Sequence, residues 1–214
     1  MIVGALRREG TAVRNALAVL ETDGTVAATY DKHHLVPFGE YLPLPDLFET
    51  LGLSALAQNA GRLSRGTAPQ RIEVDGLPPF QPLICYEAIF PHEILKGADR
   101  PDWLLQLTND AWFGTFSGPF QHLTQAQFRA VEYGLPVVRA ANTGISAVID
   151  PYGRLVAFLS LGEQNAIDAL LPAPLPATVY ARTGDLPVIL LSLIGLLVGV
   201  ALARAGANAQ RAVG

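Results

Sequence analysis

One cysteine, one lysine and two glutamates are the residues of this chain whose types and positions suggest chemistry. Cys85 is the only cysteine among 214 residues, and Tyr86 and Glu87 follow it directly at the end of an apolar run. Lys32 is followed by an apolar loop with Pro and Gly that carries Glu40. A thiolate is a nucleophile, a carboxylate can take up its proton, and an ammonium can stabilise the oxyanion that forms when a carbonyl is attacked. These residue types predict acyl transfer through a covalent bond to Cys85.

Each of these residues also has a purely structural interpretation. A lone cysteine usually packs as a small hydrophobe, and lysine and glutamate usually lie in solvent. Catalysis is favoured because the pair Tyr86-Glu87 is unusual inside a buried strand. On this interpretation the backbone N–H of Tyr86 completes the oxyanion hole, while Glu40 and Glu87 orient Lys32 or share its proton.

Four segments of the chain resemble, in order, the nitrilase (carbon–nitrogen hydrolase) superfamily, and more closely its membrane-bound branch, the apolipoprotein N-acyltransferases. Residues 30–43 are similar to the lysine segment of that branch, residues 84–87 to its nucleophile segment, residues 109–122 to its next signature, and residues 180–185 to the stretch before its last membrane helix. The site of the superfamily is a Glu-Lys-Cys triad. The resemblance therefore implies that Lys32 and Cys85 are two of its members.

The resemblance also implies a fold and a reaction. The fold is of the α/β class, a nitrilase-like α-β-β-α sandwich followed by one C-terminal transmembrane helix. In the reaction, a fatty acyl chain passes from a phospholipid donor to Cys85 as a thioester. It then passes to the N-terminal amine of a diacylglyceryl-cysteine on a lipoprotein acceptor. No cofactor and no metal ion are implied.

The sequence departs from the family pattern ahead of Lys32. The catalytic glutamate of the superfamily lies on an earlier strand–loop unit, but the glutamates before Lys32 are Glu9 and Glu21, and neither has a comparable setting. The membrane helices that the branch carries ahead of this domain do not precede it here either. We therefore expect the chain to be the C-terminal part of a longer enzyme, with a sandwich that is incomplete at its N-terminus and no full activity of its own.

The composition excludes some functions. Half of the residues are hydrophobic and 16% are charged, which suits a domain with a membrane segment. A net charge of −4 provides no basic surface for nucleic acid, so we expect no nucleic-acid partner. A single cysteine excludes an internal disulfide. Nothing in the sequence predicts an oligomeric state.

The strongest membrane signal is the uncharged stretch Leu186–Ala203, which lies between Asp185 and Arg204. It is just long enough to span a bilayer, although a buried core helix is the alternative. Because Arg204 and Arg211 follow it, the positive-inside tendency predicts a cytoplasmic tail and a periplasmic catalytic domain at a bacterial inner membrane. The expected divisions are a catalytic domain at 1–180, a junction at 181–185, a transmembrane helix at 186–203 and a tail at 204–214.

Apolar runs bounded by Gly, Pro and Asp predict the order of elements. Three antiparallel strands are expected at 2–7, 15–21 and 26–30, with a hairpin turn at 22–24. Later strands are expected at 80–86, 103–108, 137–141, 145–149 and 155–158, with helices over 91–96 and from Pro119 to Gly134.

Three further segments leave alternatives open. The apolar insertion at 44–70 is either a short core helix or a lid resting on lipid. Trp112-Phe113 is either core or a wall of an acyl pocket. Among the four histidines we expect no metal site, because the neighbours His33 and His34 would face opposite sides of a strand, and His92 and His122 lack a second ligand at helical spacing.

Two other functions compete with acyl transfer. A soluble-type nitrilase or amidase would hydrolyse small C–N bonds, but it would need neither the apolar C-terminal stretch nor the insertion at 44–70. A non-catalytic, membrane-anchored remnant would explain why no suitable base precedes Lys32.

Overall fold

A computed structural model of the chain describes residues 1–50, 63–95 and 99–213. The chain divides into two compact units, Met1–Pro176 and Ala177–Gly214. The first unit holds two β-sheets, and the second is helical.

The first sheet is a three-stranded antiparallel meander. Its strands are β1 (Ile2–Glu9), β2 (Ala12–Leu20) and β3 (Val26–Asp31), which are hydrogen-bonded in that order. In the turn between β2 and β3, Asp23 accepts hydrogen bonds from Thr25, and Gly24 takes a φ of +85° that suits glycine. The three predicted antiparallel strands and their hairpin are confirmed.

The second sheet has five strands and mixed direction. In spatial order they are β4 (Phe80–Ile84), β5 (Trp103–Asn109), β6 (Val137–Asn142), β7 (Ser146–Ile149) and β8 (Leu155–Leu159). The first three are parallel and the last two pairings are antiparallel. Parallel strands are covered on both faces, which explains their continuous apolar runs. Because β4, β5 and β6 run in the same direction, the residues that follow them meet at one edge of the sheet.

The core lies between the two sheets. Leu17 and Tyr30 of the first sheet belong to the same buried cluster as Phe80, Trp103 and Leu105 of the second. Alternate residues of β5, such as Gln106, point to the other face of the second sheet. There Gln106 contacts His122 of a helix, so the first unit is layered as helix, sheet and sheet.

Five α-helices are described. They are α1 (Pro45–Thr50), α2 (Pro91–Ile94), α3 (Gly118–Tyr133), α4 (Val179–Thr183) and α5 (Leu186–Val213). Helix α3 carries Pro119 in its first turn and ends at Gly134, whose φ of +64° places it in the left-handed region. The predicted helix from Pro119 to Gly134 is confirmed. The helix expected at 91–96 is observed as far as Ile94, and residues 96–98 lie outside the described residues.

For two apolar segments, a position in the core was one of two predicted alternatives. Both segments are exposed where the structure describes them. Leu44 and Leu47 are 69% and 50% exposed, so α1 is not a core helix. Residues 51–62, the middle of the expected lid, lie outside the described residues. Trp112 and Phe113 are 79% and 44% exposed, so a core role for this pair is wrong. The cause is local, because β5 ends in a 3₁₀ turn that buries Asp110 and turns the two aromatic rings outward.

In the second unit, the apolar stretch forms one continuous helix that is hydrophobic on all of its faces. Residues Leu186–Ala205 have a mean hydropathy of 2.7 and are long enough to cross a membrane, and none of this stretch is buried. A membrane span therefore stays the favoured interpretation of this stretch. The preceding helix α4 is capped at its N-terminus by Thr178, whose side chain accepts the N–H of Ala181.

Candidate active site

Cys85 stands at the point where β4 ends and a 3₁₀ turn over Cys85–Ile89 begins. Its φ is +49°, a conformation that costs a non-glycine residue on the order of 1–3 kcal/mol. The residue is half-buried. A strained residue at the carboxyl edge of a parallel strand presents its side chain beyond the sheet, as a nucleophile must be presented.

Glu87 binds the backbone on both sides of the site. One oxygen, Oε2, accepts the N–H of Ile84 at 2.7 Å, next to the nucleophile. The other, Oε1, accepts the N–H of His33 at 2.8 Å, next to the lysine, and the hydroxyl of Tyr30 at 2.8 Å. Glu87 therefore fixes the distance between the segment of Cys85 and the segment of Lys32. Its hydrogen bonds go to Tyr30, His33, His34 and Ile84, and none of those in the described residues goes to Lys32.

Lys32 and Glu40 form a nearly buried ion pair. The ammonium nitrogen donates to both carboxylate oxygens of Glu40, at 2.9 and 2.8 Å. The side chain of Lys32 is 1% exposed and that of Glu40 is 15% exposed. Glu40 is held in turn by the Asn15 side chain at 3.3 Å and the Val36 N–H at 2.8 Å. Glu40 thus lies in position to orient the Lys32 ammonium, a role that stays a prediction.

The backbone at Lys32 is held between two neighbours. Its N–H donates to the carbonyl of Asn15 on β2, and its carbonyl accepts the N–H of Gly66, both at 2.8 Å. A Cβ at Gly66 would come within 2.1 Å of the Asp31 carbonyl oxygen, so only glycine permits this approach. Main-chain hydrogen bonds thus fix the position of Lys32, in addition to the contact of its side chain with Glu40.

A second network of charged and polar groups lies under the nucleophile turn. Arg139 of β6 is 2% exposed and donates to Gln106 on β5, to the Asp110 carboxylate and to the carbonyl of Ile145. Burial alone would raise the pKa of Asp110, but the hydrogen bond from His122 and the charge of Arg139 outweigh it and hold that pKa below its usual value. Asp110 is therefore a buried anion that accepts hydrogen bonds from His122, Arg139 and Thr108.

His122 of α3 lies between this network and the nucleophile turn. Its Nδ1 lies 2.8 Å from Asp110 Oδ1, and its Nε2 lies 3.0 Å from the Gln106 amide nitrogen and 3.3 Å from the Cys85 carbonyl oxygen. Because Gln106 gives its oxygen to Arg139, its NH₂ group faces Nε2. We therefore assign the His122 proton to Nδ1, where it is donated to Asp110. Nε2 is then an acceptor, so its approach to the Cys85 carbonyl oxygen is a packing contact and not a hydrogen bond.

Gly144 makes room for this network. A Cβ there would lie 2.3 Å from Asp110 Oδ2. Any side chain at this position would displace the carboxylate from Arg139.

A third cluster corrects the expectation for the histidines. β3 ends at Asp31, so strand alternation does not apply to His33 and His34. Both reach the same oxygen of Glu93, His33 through Nε2 at 3.3 Å and His34 through Nδ1 at 2.7 Å. The two rings therefore do not face opposite sides, contrary to the prediction.

The predicted site residues thus lie in one region of the structure, and each has its own contact partners. Glu87 joins the segments of Cys85 and Lys32, Glu40 binds Lys32, and the half-buried Tyr86 packs its ring against His34 with centroids 5.6 Å apart. Sequence reasoning missed the contributions of Tyr30, Asn15, Asp110, His122 and Arg139. A signal for one of them was available, because an arginine within the apolar run of β6 has to be buried with a partner.

Comparison with known proteins places the chain among relatives of one kind. Residues 1–177 match the family model described as carbon-nitrogen hydrolase. The apolipoprotein N-acyltransferase of Rhodopseudomonas palustris is 50% identical over 206 residues, which cover 92% of this chain and 38% of the relative. That of Bradyrhizobium diazoefficiens is 53% identical over 190 residues, which cover 89% and 35%. The chain therefore spans little more than a third of the length of these relatives.

Solved structures show the same fold at low identity. A carbon-nitrogen hydrolase from Helicobacter pylori superposes with a TM-score of 0.54 at 19% identity, over 76% of this chain and 58% of the other. A CN-hydrolase superfamily protein from Xanthomonas campestris superposes with a TM-score of 0.52 at 21% identity, over 75% and 58%. These similarities agree with the mixed α/β layering described above and confirm the expected fold class.

Proposed function

Because this chain belongs to the carbon–nitrogen hydrolase family, we propose that it forms the nucleophile- and lysine-bearing part of an apolipoprotein N-acyltransferase. The observation that carries the proposal is the double attachment of Glu87. This carboxylate holds the strained turn of Cys85 beside the segment of Lys32. The chain that contains it is 50% identical in sequence to an enzyme of that name.

In the first half of the proposed reaction, Cys85 becomes acylated. The thiol gives its proton to a base, and the sulfur attacks the carbonyl carbon of a phospholipid ester. The ammonium of Lys32 and the N–H of Tyr86 stabilise the resulting oxyanion. When the intermediate collapses, the ester C–O bond breaks, and the lysophospholipid leaves with the proton.

In the second half, the acyl chain moves to nitrogen. The N-terminal amine of a diacylglyceryl-cysteine attacks the thioester carbon, the C–S bond breaks and an amide forms. The proton lost by the amine returns to the Cys85 sulfur. Because the lysophospholipid leaves before the amine reacts with the acyl-enzyme, the kinetics are of the ping-pong type.

Of the two predicted carboxylates, Glu40 suits proton transfer with Lys32 better than Glu87 does. Glu40 contacts the lysine ammonium directly and keeps some exposure to solvent. Glu87 is 2% exposed, and both its oxygens accept hydrogen bonds from the protein. We assign Glu87 the role of positioning and leave Glu40 as the partner of Lys32.

The apolar helix suits lipid substrates. We propose that residues 186–203 span a bacterial inner membrane, with the catalytic domain at 1–180 in the periplasm, 181–185 as the junction and the tail at 204–214 in the cytoplasm. The support is the hydropathy of α5 and the position of Arg204 after it.

The proposal is tested by trapping the acyl-enzyme. The gene product that carries these residues is incubated with phospholipid whose acyl chain is labelled, first without an acceptor. Wild type should gain a label that hydroxylamine removes, whereas Cys85→Ser should gain none. His92→Gln is the control, since His92 is an exposed neighbour of the turn.

Two results would contradict the proposal. Equal labelling of Cys85→Ser would exclude a thioester at this residue. Release of ammonia from short amides, without acyl transfer to a lipoprotein amine, would show an amidase instead.

A further inference from the structure

In the cluster of His33, His34 and Glu93, one contact joins two hydrogen-bond acceptors. His33 Nδ1 lies 2.7 Å from Glu87 Oε1, and Tyr30 donates its own hydroxyl proton to the same oxygen. The Tyr30 hydroxyl also lies 2.9 Å from His33 Nδ1. We assign the proton of a neutral His33 to Nδ1, because the nearest neighbour of that nitrogen is a carboxylate oxygen of Glu87, which can only accept.

This tautomer leaves a lone pair facing a carboxylate. His33 Nε2 then has no proton, yet it lies 3.3 Å from Glu93 Oε2. Two acceptors at this distance repel each other unless a positive charge lies between or beside them. The occupant of the gap is either a second proton on His33 or a cation.

A third donor atom points to the same place. His34 Nδ1 lies 2.7 Å from Glu93 Oε2, and one nitrogen from each histidine and one oxygen of Glu93 all lie within 4.8 Å of one another. The His34 ring is stacked on Phe90, with centroids 3.8 Å apart and planes 18° apart. Its orientation is therefore held by packing rather than by the hydrogen bond alone.

We propose that His33, His34 and Glu93 form a binding site for one divalent transition-metal ion of the zinc type, with water completing the coordination. Two imidazole nitrogens and a carboxylate are a ligand set that zinc accepts while keeping an open position for water. Glu87 serves as the outer carboxylate that fixes the tautomer and orientation of the His33 ligand. The three ligand side chains are 15%, 26% and 23% exposed, so an ion can reach them from solvent.

The position of the site gives the ion a structural consequence. His33 directly follows Lys32, while Glu93 lies in α2, which directly follows the turn of Cys85. A bound ion would link the segment of Lys32 to the segment of Cys85, which the buried Glu87 also links by hydrogen bonds. It would stabilise the folded chain by mass action without taking part in the transfer reaction.

The experiment measures metal binding rather than acyl transfer, so its failure is distinct from failure of the proposed function. The 214-residue chain carries Cys85→Ala, which removes the thiol as a competing ligand, and is purified in detergent with a chelator. Zinc is then titrated by calorimetry, and Co²⁺ absorption reports the coordination. We expect one ion per chain and a rise in the melting temperature on adding zinc.

Three variants and a control locate the site. His33→Asn, His34→Gln and Glu93→Gln should each weaken zinc binding at least about tenfold, the lower end of what ligand-sphere changes cost. His92→Gln should bind as the parent does, because His92 is exposed and lies 3.8 Å from the other Glu93 oxygen. The melting temperature of each variant in chelator shows whether it is folded. Zinc affinity should also fall with pH, since protons compete for the imidazoles.

The competing occupant has its own signature. Burial would lower the pKa of His33, but its contacts with Glu87 and Glu93 raise it above the usual value, which favours a second proton in the gap. If only a proton occupies the gap, zinc will change neither the heat signal nor the melting temperature. That result, or zinc binding unchanged in Glu93→Gln and His33→Asn, would overturn the proposal.

Discussion

The Asp110 carboxylate and the His122 imidazole form a 2.8 Å hydrogen bond beneath the nucleophile turn. The other ring nitrogen of His122 lies 3.3 Å from the Cys85 carbonyl oxygen, and Arg139 closes the network from β6. All three side chains are at most 3% exposed. Buried ion pairs often add little stability over apolar residues, so their presence here favours a positioning role for the strained turn.

Asp110→Asn should be strongly destabilising. The change removes the anion and leaves the buried guanidinium of Arg139 without its charge partner, which typically costs about 3–5 kcal/mol. The free energy of unfolding by urea in detergent measures the effect. Asp150→Asn is the matched control, because Asp150 also pairs with an arginine, Arg154, whose side chain is 73% exposed. We expect a clearly smaller loss there, and equal losses would show that Arg139 is not charge-balanced by Asp110.

The same pair predicts a pH dependence. The pKa of Asp110 is lower in the folded chain than its ordinary value of 3.8, so its ionised form stabilises the fold above that value. This contribution is lost as pH falls through the lower folded pKa. The difference in unfolding free energy between wild type and Asp110→Asn should therefore be constant from neutral pH down to about pH 5 and shrink below about pH 4. A difference that grows on acidification would contradict the assignment.

The Lys32–Glu40 pair predicts that activity and stability respond differently to mutation. Lys32→Met removes the oxyanion partner and should lower acyl transfer by about 10²–10³. It also leaves the Glu40 carboxylate unpaired, at a cost of roughly 2–4 kcal/mol, since some solvent remains. The double variant Lys32→Met, Glu40→Gln should regain most of the stability and none of the activity.

Stability and activity of these variants are measured in the gene product that carries these residues. Urea unfolding gives the stability, and transfer of labelled acyl chains gives the activity. Arg154→Met is the control for loss of an exposed cation and should change neither quantity appreciably. Activity of Lys32→Met above about a tenth of wild type would show that Lys32 serves only as a partner for Glu40.

The order of strands and helices was predictable because it depends on local patterns. Gly and Pro bound the apolar runs, and the ends of α3 follow from Pro119 and Gly134. The network at Asp110 was not predictable, because its members come from different elements. Only the parallel register of β5 and β6, which pairs Gln106 with Arg139, brings these side chains together.

The two errors at the site also have physical reasons. Alternation was applied to His33 and His34 although β3 ends at Asp31, so both rings reach one carboxylate. For the pair Trp112-Phe113, the core alternative fails because of the turn after β5, where burial goes to Asp110 instead. In both cases the end of a strand, which is the least certain feature of a sequence pattern, decided which side chains met.

The backbone of Cys85 gives a prediction that is independent of chemistry. Its φ of +49° is strained for any residue with a Cβ, so glycine should be preferred at this position. Cys85→Gly should therefore be more stable than Cys85→Ala by about 1–2 kcal/mol, measured by urea unfolding in detergent. Ala88 is the matched control, because it is buried in the same turn and its φ is not positive. There Ala88→Gly should destabilise the fold, by roughly 1 kcal/mol or more. If Cys85→Ala proved as stable as Cys85→Gly, the nucleophile would not be held in a strained conformation, and the positioning role of Glu87 would lose its basis.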